Sequence, residues 1–134
     1  MDLARMYITI AGVLGVATGI LGFADNPFIG EDAIFATDSL HDAVHIVTGL
    51  VALGIALLTT GDRMARGIIW FGAGYVVLFM VLLISPTLLG LMAVPVNWAD
   101  HLLHAGLGLV TIAIGRARLV HGEGIDATPA PAGR

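Results

Sequence analysis

Four stretches of the chain, residues 6–24, 43–60, 67–85 and 102–119, are each close to twenty residues long and almost wholly apolar, with acids and bases confined to their ends. A helix needs about 20 such residues to cross the hydrocarbon of a bilayer. The sequence therefore reads as an all-α membrane protein with four transmembrane helices. Its 134 residues are 57% hydrophobic and only 12% charged, which is too apolar for a soluble domain and too short for a second bundle. There is no phosphate loop, no Ser-His-Asp order and no basic patch, so nucleic acid is excluded as a partner and the lipid bilayer is the first one expected.

Charge placement fixes an orientation. All six basic residues are arginines: Arg5 precedes the first helix, Arg63 and Arg66 separate the second from the third, and Arg116, Arg118 and Arg134 belong to the end of the fourth and the tail. The other two connections carry Asp25, Glu31, Asp32, Asp38, Asp42 and Asp100 and no arginine. The positive-inside rule then predicts a multi-pass protein of the cytoplasmic (inner) membrane with both termini cytoplasmic. Helices 1 and 3 run outward and helices 2 and 4 inward, so the repeat unit is a helical hairpin duplicated in parallel, with halves at about 1–60 and 61–120. Residues 1–120 form the four-helix domain, and the Gly-, Ala- and Pro-rich residues 121–134 are expected to be a mobile cytoplasmic tail. The absence of cysteine removes disulfides and thiolate sites. Gly22-Phe23-Ala24 resembles a signal-peptide cleavage site, but the glycine pattern before it suits a retained helix.

That pattern is Gly12, Gly15, Gly19 and Gly22, one nearly bare helix face. Close packing of a neighbouring helix is the expected use, and a groove for a lipid or flat cofactor is the alternative. Gly72 and Gly74 are a weaker counterpart in helix 3. Phe28, Ile34 and Phe35 place the first outer connection on the membrane surface, while Tyr7, Trp70 and Trp98 suit interfacial belts. Pro86 and Pro95 predict a kink or a short interfacial segment after helix 3.

The chemistry-bearing residues repeat 59 positions apart, at residues 38–49 and 97–108. The shared template is Asx-x-x-[His/Asp]-[His/Asp]-x-x-His-x-x-x-Gly, whose polar and glycine members share one helical face. Asp38 and Asn97 are the expected N-caps, with Asp100 completing a capping-box-like arrangement. His45 and His104 then lie roughly 10 Å along their helices, at the edge of the hydrocarbon. His41 is equivalent to Asp100 and Asp42 to His101, so two facing copies would pair each acid with an imidazole of the other half. Gly49 and Gly108, one turn deeper, would let helices 2 and 4 cross closely.

Three uses of this face remain open. The first is a structural cluster of Asp38, His41, Asp42, His45, Asn97, Asp100, His101 and His104 that satisfies itself and needs no cofactor. The second is a haem with His45 and His104 as axial ligands. The third is a metal ion on His41, His45, His101 and His104, with Asp42 and Asp100 as oxygen donors. The HxxxH and HxxH boxes resemble those of membrane di-iron oxygenases in spacing only, because four histidines fall short of that ligand set.

Over residues 6–119 the chain resembles a family of small four-helix bacterial and archaeal membrane proteins known as a domain of unknown function. The resemblance rests on Asn26-Pro27, His41-x-x-x-His45-x-x-x-Gly49 and Asn97-x-x-Asp100-x-x-x-His104-x-x-x-Gly108. In such relatives an Asn often follows the first His or the Asp, where this chain has Asp42 and His101. The resemblance implies the four-helix topology and no activity. The expectation is therefore a non-catalytic structural or accessory membrane protein, working as a homo-oligomer or within a larger complex, with a haem- or metal-binding subunit as the alternative.

Overall fold

A computed structural model describes residues 2–30, 33–85 and 97–122. It is all-helical, built from α1 (Leu3–Gly22), α2 (Ser39–Leu58), α3 (Gly61–Ile84) and α4 (Trp98–Gly122), each long and apolar enough to cross a membrane. A two-residue parallel bridge, β1 (Ile29–Gly30) with β2 (Phe35–Ala36), sits in the connection between α1 and α2. Residues 86–96, where the kink or interfacial segment was expected, and tail residues 123–134 lie outside the described residues.

Helices α1, α2 and α4 begin where side chains accept from their free first-turn amides. Asp2 accepts from Ala4 N at 3.0 Å and Asp38 from His41 N at 2.8 Å. At α4, Asn97 Oδ1 accepts from the amides of Ala99 (2.9 Å) and Asp100 (3.2 Å), while Asp100 Oδ2 accepts from Asn97 N at 2.9 Å. This is a reciprocal cap. Helix α3 starts six residues before the expected position, at Gly61, whose φ of +52° suits glycine in a tight reversal. Arg63 and Arg66 therefore lie on the first turns of α3, and Arg66 pairs with Asp62 at 3.5 Å.

Packing follows the glycines. Helix α1 lies on α2 and α3 on α4, and the two hairpins touch more sparingly. A Cβ at Gly49 would fall 2.6 Å from Val16 N and 2.8 Å from Gly12 O; one at Gly108 would fall 3.0 Å from Gly72 O. Only missing side chains let these backbones approach so closely. Gly49 and Gly108 are thus used inside their own hairpins, not between α2 and α4. Among the described residues no Cα of α2 comes within 8 Å of one of α4.

The interior inverts the soluble pattern. Large apolar residues such as Leu57, Leu58, Trp70 and Ile84 face outward, as lipid requires, while His41, Asp42, His45, Asp100, His104 and Thr111 are buried. An apolar cluster of Ala4, Ile8, Ala52, Ala56, Met64 and Ile68 fills the end nearer the N-terminus. There Arg5 donates to the Ala56 and Thr59 carbonyls at the end of α2, and Arg118 pairs with Asp2 at 2.6 Å. At the far end the Asn26 amide donates to the Leu21, Ala24 and Ile29 carbonyls and accepts from the Phe28 and Ile29 amides.

Candidate metal centre

Because the close approaches are confined to each hairpin, a gap remains across the α2–α4 diagonal, and imidazoles bridge it. His41 and His45, one turn apart on α2, have ring centroids 4.6 Å apart; each lies 6.0 Å from the His104 ring of α4. All three residues are buried, and each offers a nitrogen within 4.8 Å of the others'.

The hydrogen bonds around these rings decide what they have to offer. His104 Nδ1 donates to the Asp100 carbonyl at 2.7 Å, which fixes that nitrogen as N–H and leaves the Nε2 lone pair for another partner. His45 Nδ1 is buried without a hydrogen-bond partner. The Tyr75 ring of α3 stacks on His104 at 5.7 Å and 21°, and its hydroxyl donates to Thr48 Oγ1 at 3.2 Å. Thr48 in turn donates to the Val44 carbonyl at 2.8 Å.

The carboxylates go elsewhere. Asp100 Oδ2 accepts from Ala36 N at 3.1 Å as well as from Asn97 N, and Asn97 Nδ2 donates to Ile34 O at 2.8 Å. These bonds stitch the α1–α2 connection to the start of α4. The Asp42 carboxylate lies against Gly22 of α1, in space that a Cβ there would occupy, and its Oδ1 has no partner. His101 faces away from the three rings, 5.8 Å from Phe79 and 6.0 Å from Trp98. The swapped Asp42–His101 pair does not form, because α4 is rotated to seat Gly108 on α3, which turns His101 toward Phe79. Of the four histidines proposed as metal ligands, His41, His45 and His104 come together and His101 does not.

Tyr75 and Thr48 were not singled out in the sequence. A tyrosine in mid-span is the signal that would have found them, since a hydroxyl at membrane depth needs a partner. Beside the rings lies a cavity of about 440 Å³ between α2 and α3, walled by Val44, Val51, Trp70, Phe71, Leu78 and Leu82 among others.

A model of the family described as "Domain of unknown function (DUF4383)" matches residues 5–117. The chain belongs to the DUF4383 family. The match takes in most of all four helices and every member of the site. No curated protein and no solved structure matches the DUF4383 chain.

Proposed function

We propose that this DUF4383 protein is a metal-binding protein of the cytoplasmic membrane, holding one transition-metal ion through His41, His45 and His104. The observation that carries the reading is the convergence of three buried imidazoles whose nitrogens lie within 4.8 Å of one another. Neutral imidazoles suit Zn, Cu, Fe and Ni, and three of them form a site with an open position. Zinc–nitrogen bonds of about 2.0–2.1 Å call for donors closer together than these, so binding draws the rings inward, a change that side-chain rotation supplies. The third ring argues against the haem alternative: His41 packs beside both His45 and His104, in the space a macrocycle between them would need.

The arginine distribution supports cytoplasmic termini, which puts the histidines nearer the outer surface. Equivalent glycine contacts in the two hairpins support a parallel internal repeat. A structural role is the second reading for part of the cluster, favoured by Asp38, Asn97 and Asp100, whose oxygens are taken up by caps and the connection.

The test is metal analysis and Co²⁺ titration of detergent-purified protein, with helicity followed in parallel. About one ion per chain is expected, with visible Co²⁺ bands, both lost in His104→Ala and retained in His101→Ala. Equal metal content in the wild type and in the combined His41→Ala, His45→Ala, His104→Ala variant would overturn the proposal.

A further inference from the structure

The cavity beside the imidazoles has the shape and chemistry of a ligand site, and three features restrict its occupant. Its wall includes Val51, Trp70 and Gly74, all exposed on the lipid-facing side of α2 and α3, so it opens sideways into the bilayer and not to water. Its rings, Trp70, Phe71 and Tyr75, favour a flat aromatic group. Among the described residues its lining contains no Asp, Glu, Lys or Arg, and none of them balances a charged headgroup. A volume of about 440 Å³ falls within the usual range for small-molecule sites.

The polar end selects further. Thr48 already donates to Val44 O and accepts from Tyr75, so neither hydroxyl is a free donor for a ligand carbonyl. What His104 leaves unspent is acceptor capacity, the Nε2 lone pair. A group that docks on His104 must therefore bring its own hydrogen. We infer that the cavity binds a membrane-soluble aromatic alcohol of the phenol or hydroquinone class, ring against Trp70 and Phe71 and hydroxyl at His104. The inference uses the imidazoles of the metal reading but rests on the cavity: without metal the hydroxyl donates to Nε2, and with metal its oxygen takes the open position.

Gly74 provides the test. It lines the cavity, yet a Cβ there would meet no atom within 4 Å, so Gly74→Leu fills the space without disturbing helix packing. The full chain carrying Trp98→Phe, which leaves Trp70 as the one tryptophan, is placed in phospholipid nanodiscs and titrated with a decyl-tailed hydroquinone. The titration is run after chelator treatment and again with Zn²⁺. Saturable quenching of Trp70 is expected in both, at least tenfold weaker for the dimethyl ether of the probe and for Gly74→Leu, whose thermal unfolding is unchanged. Equal binding of the ether means that a lipid tail or any apolar chain fills the cavity, and equal binding by Gly74→Leu means that the probe sits elsewhere; either overturns the inference. If the metal reading alone fails, Zn²⁺ is not retained while hydroquinone still binds the chelated protein. If this inference alone fails, the metal is retained and no quenching is seen.

Discussion

Gly49→Ala is the sharpest probe of how the fold positions the histidines. The added methyl would lie 2.6 Å from Val16 N and 2.8 Å from Gly12 O, both backbone atoms that no rotamer change can move. Restoring an ordinary contact of 3.4 Å requires α1 and α2 to separate locally by about 0.8 Å. A gap of that size forfeits roughly a quarter to a half of each dispersion contact along the seam, and overpacked sites of this kind cost about 1–3 kcal/mol. The helix propensity of alanine offsets about 1 kcal/mol of that, leaving a net loss of about 0–2 kcal/mol and a deficit of about 1–3 kcal/mol against a site where only the propensity acts. Gly54→Ala is the control: a Cβ there meets nothing within 4 Å, so only the propensity gain remains, on the same helix. The assay is reversible unfolding in mixed micelles, read by loss of helicity. If Gly49→Ala proves as stable as Gly54→Ala, the seam is not closed by backbone contact and the account of the packing is wrong.

Two further outcomes are expected. Burial raises the Asp2 carboxyl, but the Arg118 guanidinium, the Ala4 amide and the nearby Arg5 outweigh it and hold the group below its ordinary 3.8. The ion pair thus stabilises the fold above about pH 4, and that contribution is lost as pH falls through the folded value. Partial exposure keeps it near or below about 1 kcal/mol, so acid melting of Arg118→Gln should show a correspondingly smaller loss of stability than the wild type between pH 5 and about 3. Asn26→Asp removes the donor to three carbonyls and sets a carboxylate against them. Hydrogen exchange at the Phe28 and Ile29 amides should then rise by about fivefold to a hundredfold, corresponding to about 1–3 kcal/mol.

The number and extent of the helices were legible because apolar length is written directly in the sequence. The start of α3 was not, since Arg63 and Arg66 look like a connection until Gly61 is seen to reverse the chain in place. The caps at Asp38 and Asn97 could be read from the Asx that opens each motif. The composition of the site was only half legible. Periodicity puts His41 and His45 on one face of α2, but whether His101 or His104 meets them depends on the rotation of α4. That rotation is fixed by contacts between Gly72 and Gly108 to which no single helix testifies. Tyr75 escaped for a related reason: its partner Thr48 lies 27 positions away on another helix.

The same glycines explain why a polar site exists at this depth at all. Bare faces draw α1 onto α2 and α3 onto α4, so the four-helix array is a pair of tight hairpins, and the backbones of α2 and α4 stay more than 8 Å apart. Imidazoles are long enough to reach across that diagonal, and their nitrogens meet in its middle. Gly49 is four residues from His45 and Gly108 four from His104, so each glycine contact sets the height and rotation of the histidine one turn along its helix. Polar groups held at membrane depth are costly unless something engages them. A fold that brings three imidazoles together there, and routes the nearby carboxylates to Gly22 and the α1–α2 connection, gathers ring nitrogens at a single point. Helix packing and the placement of the imidazoles are therefore coupled through Gly49 and Gly108, where a change in the seam moves the rings without touching them.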